Sequence, residues 1–337
     1  MLKKFIKNKK ITVVDGDNRL GTTSGELKRK LQDMLSNGMN IKGIQIFHYA
    51  SIHYKTRWNS YSLRFLNALV NSAASIKYEG DVLSLDDREE PELQRDTSEI
   101  LAIGLSNMFM CKWYGININK IGKIPGSNKR CDYRFQSNNR LIIYEVKGRK
   151  DGIKAALRDC LKKKQGYSAD LMYSTICHLP RDGSSVSLHL FDPPVNDHYE
   201  YDEYYTMLNH YRNLCEKVGL TILSNQIYKR IKAFEESGDW GGTSLEVGNV
   251  IKLGTNITLG NRVFWTRTIL NNNEIVPFHI QFGLDKRVIE ILEEWNLQKL
   301  KEISFIEEVY ERDGKLFSVI SDGSLFYMGN ESLNENP

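Results

Sequence analysis

Residues 129–150 read Lys-Arg-Cys-Asp-Tyr-Arg-Phe-Gln-Ser-Asn-Asn-Arg-Leu-Ile-Ile-Tyr-Glu-Val-Lys-Gly-Arg-Lys. Two short β-prone runs flank a Ser137-Asn138-Asn139-Arg140 turn. Asparagine tolerates the positive φ angles that a two-residue hairpin loop demands. With Asn138 and Asn139 as the central turn residues, Asp132 is expected directly opposite Glu145. Directly opposed residues carry Cβ atoms roughly 4.5–5.5 Å apart on one face of the sheet. Lys147, two residues past Glu145, shares that face. Two acids and a lysine thus converge on one patch. Opposed like charges destabilise a sheet unless something neutralises them, and a divalent cation would do so.

This arrangement resembles the PD-(D/E)xK nuclease superfamily, whose motif is an acid, a short spacer, then acid-x-lysine at the end of the next strand. Asp132 stands for the first acid, Glu145 for the second and Lys147 for the lysine. Cys131 precedes Asp132 in place of the motif's proline, a position that varies within the superfamily. The resemblance covers roughly residues 91–195. It implies an α/β (α+β) fold: a restriction-endonuclease-like αβββαβ core with a mixed sheet, flanked by N- and C-terminal accessory regions. The expected divisions are an accessory region at 1–90, the core at 91–195, an accessory or recognition region at 196–330 and a disordered tail at 331–337.

The element order supports the resemblance. Asp96 to Tyr114 reads as a helix, with Asp96, Thr97 and Ser98 as candidate caps and an almost continuous apolar surface from Ile100 to Cys111. Ile116–Ile124 reads as a strand, Pro125-Gly126 as a turn, and the hairpin follows. Asp151 caps a further helix that ends at Gly166, with Ile153, Leu157, Cys160 and Leu161 on its buried stripe. Leu171–Leu179 and Val186–Phe191 read as strands.

Outside this core, Ile11–Val14 reads as a strand ending in an Asp15-Gly16-Asp17 turn, a segment far more often structural than metal-binding. Leu27, Leu31 and Leu35 mark one helix face, Ile44–Phe47 reads as a strand and residues 59–75 as a helix. The acidic run 86–90 marks a boundary, and Pro193-Pro194 ends the core. Residues 200–219 form a helix carrying Tyr201, Tyr204, Tyr205 and Tyr211, whose spacing favours packing over stacking on bases. Short β-prone runs occupy 240–285, a helix 286–298 and a hairpin Lys315–Met328.

Composition sets outer bounds. The 337 residues suit two or three domains, and 41% hydrophobic with 26% charged content is that of an ordinary globular chain. No apolar run approaches the roughly 20 residues of a membrane span, and the basic N-terminus lacks a signal-peptide core. Net charge is only +4, yet basic residues cluster at 3–10, 147–164 and 229–232, as suits local phosphate contacts. The five cysteines (Cys111, Cys131, Cys160, Cys177 and Cys215) are widely spaced, which points to reduced thiols in a cytoplasmic protein. The histidines form no ligand-spaced cluster, and no phosphate-binding loop of an ATP motor is present.

From the resemblance, Asp132 and Glu145 would hold Mg²⁺, with Mn²⁺ able to substitute, joined by the Val146 backbone carbonyl and by Glu99 as an extra ligand. Glu99 has an equal structural reading, a favourable charge near a helix N-terminus. Lys147 would orient or help deprotonate the attacking water. Lys154, Arg158, Lys162 and Lys163 would contact backbone phosphates, with Gln165 a weaker candidate. The implied activity is a Mg²⁺-dependent endonuclease, most simply acting on DNA in restriction or phage defence, as a homodimer or with a partner protein. Two other readings stand beside it: an inactive nucleic-acid-binding or scaffold subunit, and an RNA-directed nuclease, since a phosphate-reading groove is largely blind to the 2′-hydroxyl. The triad also has a plain structural reading as a cross-strand salt-bridge cluster, worth about 0–1 kcal/mol per pair if exposed.

Overall fold

Asn138 and Asn139 take left-handed φ angles of 51° and 58°, closing the two-residue turn. The hairpin is in the expected register, with Ser137 against Arg140 and Tyr133 against Tyr144. The computed structural model describes residues 5–17, 25–53, 63–77, 80–85, 91–124, 131–164, 169–180, 182–191, 202–237, 240, 254–270, 279–312 and 314–329. It is a mixed α/β structure that divides into two units.

The first unit is built from Lys3–Tyr54 and Leu63–Tyr201. Its elements are β1 (Asn8–Asp15), α1 (Gly25–Asn37), β2 (Met39–Lys42), α2 (Gly43–His53), α3 (Leu63–Ser75), α4 (Pro91–Tyr114), β3 (Gly122–Lys123), β4 (Tyr133–Ser137), β5 (Arg140–Arg149), α5 (Ile153–Lys164), β6 (Leu171–His178) and β7 (Ser187–Phe191). Seven strands make one mixed sheet in the order β2-β1-β7-β6-β5-β4-β3. β5 and β6 run parallel, as do β1 and β7, while β4–β5 and β6–β7 are antiparallel.

The chain does not divide at residue 90 as expected. β1 pairs with β7 from Thr12↔Ser187 to Asp15↔Leu190, so the N-terminal segment extends the central sheet instead of standing apart. Ile44–Phe47 is the start of α2 and not a strand. Four apolar residues do not distinguish a strand from a buried helical turn, and α2 is buried all round except at Gln45. In 116–124 only Gly122–Lys123 is strand. Asn117 instead caps a 3-10 turn at Ile118–Lys120, its side chain accepting the Asn119 N–H and diverting the backbone from a ladder. α4 starts at Pro91, a residue suited to a first helical turn, and not at Asp96. In α5, Ala156 and Cys160 are buried, whereas Leu161, expected on the inner stripe, is exposed. The acidic run, Pro125-Gly126, Gln165, Pro193-Pro194, Tyr201 and the tail lie outside the described residues.

α4 and α5 cover opposite faces of the sheet. On the α4 side, Tyr144 donates a hydrogen bond to Asn107 (2.6 Å) and Tyr114 donates one to Tyr173 (2.9 Å), within a layer that includes Trp113 and Phe135. On the α5 side, Ala156 packs with Ile176 and Phe191. All five cysteines are free and buried.

The second unit, built on Asp202–Pro337, holds α6 (Glu203–Lys217), α7 (Thr221–Ser237), β8 (Thr255–Leu259), β9 (Arg262–Leu270), β10 (His279–Asp285), α8 (Lys286–Glu293), α9 (Leu297–Glu302), β11 (Glu308–Arg312), β12 (Lys315–Val319) and β13 (Ser324–Gly329). Its six strands form an antiparallel sheet in the order β11-β12-β13-β10-β9-β8. The tyrosines of α6 serve packing and internal bonds: Tyr211 is buried, Tyr204 bonds Gln298, and Tyr205 bonds Glu235. His210 pairs with Asp322 at 2.8 Å, and Ser324 donates both its N–H and its hydroxyl to the same carboxylate, tying α6 to the β12–β13 hairpin. Among the described residues, no helix is long and apolar enough to cross a membrane.

Helix α2 crosses α4 where Gly104 lets the backbones touch: a Cβ at this position would fall on the carbonyl oxygen of Ile46. Gly104→Ala is therefore expected to destabilise the protein by about 1–3 kcal/mol despite its better helix propensity. A denaturant midpoint at or above that of the wild type would contradict this packing.

Candidate active site

The alternation of β5 places Tyr144, Val146 and Gly148 toward α4, and Ile143, Glu145 and Lys147 toward α5. Gly148 is required by the first set, because a Cβ there would strike the Ser98 carbonyl of α4. The second set carries the charge. Asp132 sits one residue before β4, where the register continues to place it across from Glu145. Its Oδ2 accepts the Val146 N–H at 3.0 Å, replacing the ladder bond that β4 is too short to supply.

Glu145 is wholly buried. Lys147 Nζ lies 2.8 Å from its Oε1, and Lys163 Nζ, from the last turn of α5, bonds the same oxygen. Oε2 is buried with no hydrogen-bond partner. Burial first, and the Asp132 charge second, raise the Glu145 carboxyl from an ordinary 4.5 to about 7, with both lysines opposing the shift. Burial works against the Lys147 ammonium, but the Glu145 charge and hydrogen bond outweigh it and hold its pKa above that of an ordinary lysine. Beneath them Tyr133 is pushed well up by burial and then by the charges of Asp132, Glu99 and Glu145.

A cleft of about 540 Å³ opens around this end of the sheet. Asp132, Val146 and Lys147 line it with Glu99, Ser98 and Arg95 of α4, Lys123 of β3, and Arg149 and Lys150 beyond the second acid. Arg149 also reaches Asp159 of α5 at 3.8 Å.

Asp132, Glu145 and Lys147 therefore come together as the sequence reading expects, with the Val146 backbone beside them. Glu99 stands on the α4 side of the same site. It lines the same cleft from α4, across the sheet from Glu145, and among the described residues no three His, Cys, Asp or Glu side chains gather into a metal-binding group. Its N-terminal charge reading fails, because the early start of α4 leaves Glu99 more than two turns inside the helix. Lys163, expected to meet phosphates, instead points inward to Glu145. Lys154 and Arg158 are exposed on α5 and do not line the cleft, and the Lys162 side chain lies outside what the structure describes. Arg95, Lys123, Arg149 and Lys150 carry no sequence signal that would single them out. Helical and strand periodicity gives the inner face of an element but not which surface cations meet at a cleft. The strand registers place Asp15 level with Val146 but three strands away, through Leu190 of β7 and Thr175 of β6, and neither Asp15 nor Asp17 lines the cleft.

The donor chemistry fits a hard divalent cation. Two carboxylates stand on either side of the Val146 backbone, and one buried carboxylate oxygen has no hydrogen-bond partner. So small a protein ligand set suits Mg²⁺, which keeps several waters, and does not suit zinc.

The Glu145 environment carries a stability signature. A folded pKa raised from 4.5 to about 7 gives a contribution that is complete below 4.5 and lost as pH rises through 7. Wild-type stability should thus fall relative to Glu145→Gln between pH 5 and 8, by up to about 3 kcal/mol. Thermal unfolding of both proteins across that range tests this, and parallel curves would count against it. Compared with protein-family models, with curated proteins and with solved structures, the chain has no match.

Proposed function

We propose that this chain is a divalent-metal-dependent nuclease of the PD-(D/E)xK type, hydrolysing phosphodiester bonds, with DNA as its substrate. The observation that carries the reading is the wholly buried Glu145, set against Asp132 and Lys147 with one oxygen unpartnered. Such an arrangement costs stability, and a strongly shifted group beside a cleft, here the one lined by Asp132 and Lys147, marks a functional-site candidate. The order α4, β3, β4, β5, α5, β6, with β5 and β6 parallel, supports a restriction-endonuclease-like core.

In this reading Asp132, Glu145 and the Val146 carbonyl hold Mg²⁺ or Mn²⁺. The bound ion supplies charge neutralisation at the phosphate and activation of water. Lys147, kept cationic by Glu145, orients the attacking water and offsets charge developing on the phosphate. Arg95, Lys123 and Lys150 around the cleft take the flanking phosphates.

A second reading has its own observation. Two lysines on Glu145 Oε1 already balance the two acids, as a structural cluster in a nucleic-acid-binding subunit would. Incubation with supercoiled plasmid separates the two. Wild type should nick or linearise it in Mg²⁺ or Mn²⁺ and not in EDTA. Lys147→Ala should cut about 100-fold more slowly or worse while keeping its fold. Turnover near wild type in that variant would remove the catalytic assignment, and no metal-dependent cutting by wild type would favour the binding subunit. A matched RNA duplex in the same assay would show whether the substrate choice is DNA.

The phosphate contacts are tested separately. Lys123→Ala and Lys150→Ala should each weaken DNA binding across sequences and lower the salt slope by about one. Lys154→Ala and Arg158→Ala should change it less. The reverse ranking, read by fluorescence anisotropy over a salt series, would return the phosphate track to α5.

A further inference from the structure

The last turn of α5 holds the feature that the nuclease reading leaves unused. Lys147 and Lys163 both bond one oxygen of Glu145 while the other oxygen has no hydrogen-bond partner. Two ammonium groups on one oxygen repel each other, so the pair is held there by the buried carboxylate and by the Asp132 charge, not by mutual attraction. With Asp132 and Glu145 ionised, the two lysines bring the local charge to zero. A divalent cation added to that set would leave an excess of two positive charges in a buried site, an expensive state at low dielectric.

The two lysines are not equally able to give way. Lys147 is fixed by the pleat of β5, its side chain on the same face as both acids. Lys163 is the second-last residue of α5, where helix ends fray, and exposure does not separate the two lysines, the Lys163 side chain being 23% and the Lys147 side chain 22% exposed. We propose that Lys163 is a resident cation on Glu145 that yields its place when a divalent ion loads, and is thereby released to engage a substrate phosphate. Metal loading and phosphate capture are then coupled through one side chain. Toward the metal, Lys163 acts through Glu145. This inference rests on the nuclease reading of the site, and its test distinguishes the two.

The experiment is direct Mn²⁺ titration of the purified full chain, reading free Mn²⁺ by electron paramagnetic resonance. Wild type, Lys163→Met, Lys163→Arg and Glu145→Gln are compared, with thermal unfolding as a check on folding. Removal of a competing charge should tighten Mn²⁺ binding in Lys163→Met by about tenfold, a coupling of ordinary size. Lys163→Arg, which keeps the charge, should bind as wild type does, and Glu145→Gln should bind far more weakly. With Mn²⁺ and a duplex too short to yield separable products, DNA affinity should rise for wild type and rise less for Lys163→Met. Unchanged or weaker Mn²⁺ binding in a folded Lys163→Met protein would overturn the inference and make Lys163 a strut for Glu145, while Mn²⁺ binding that depends on Glu145 would leave the nuclease reading standing. No Mn²⁺ binding by any variant would remove both.

Discussion

The carboxylate of Glu145 has no contact with water, and the rest of the site is an answer to that. An ion of this size costs several kcal/mol to bury even after the protein relaxes around it. Asp132, opposite it on the hairpin, makes the problem worse. Lys147 from the same strand and Lys163 from α5 make it tolerable, and in doing so they fix the end of α5 against β5. Replacing such a cluster by apolar side chains of similar volume is often neutral or stabilising. Stability alone therefore gives no reason to build it, which is what motivates the proposed catalytic role.

The cluster depends on local backbone features. A one-residue slip in the β4–β5 register would send Asp132 to the other face of the sheet, and the paired left-handed asparagines prevent that slip. Asp132 also acts on the backbone. By accepting the Val146 N–H it extends the pairing past the end of β4 and ties the first acid to the strand carrying the second. Gly148 does the equivalent for α4. Without a Cβ, it admits the Ser98 carbonyl and brings the helix close enough for Arg95 and Glu99 to wall the cleft.

The hairpin is legible in the sequence because its turn chemistry and its period-two pattern are local. The order of elements in 91–191 is legible for the same reason, as is the buried character of α4. What is not legible depends on distant partners. Nothing in Ile11–Val14 says that this strand will lie beside β7, about 175 residues away in sequence, so residues before 90 look separate. Ile44–Phe47 is too short for its period to decide between strand and helix. The start of α4 at Pro91 moves Glu99 from the first turn to the third and removes its dipole reading. The inward turn of Lys163 is hidden because the acid it meets is on another element.

The position of Lys163 also constrains how nucleic acid would approach. Lys154 and Arg158 lie four residues apart on one side of α5, and Lys163 lies about 140° from Arg158 around the axis. That side and the inward lysine cannot both face the reacting phosphate. Nine residues of helix also separate Lys154 from Lys163, about 13 Å along the axis. The cations that line the cleft come from the elements that end there: Lys147, Arg149 and Lys150 from β5 and its exit, Lys123 from β3 and Arg95 from α4. Most of these sit at or next to positions that the sheet fixes. A rigid rim of that kind can orient a backbone without the entropy loss of ordering a mobile basic helix face.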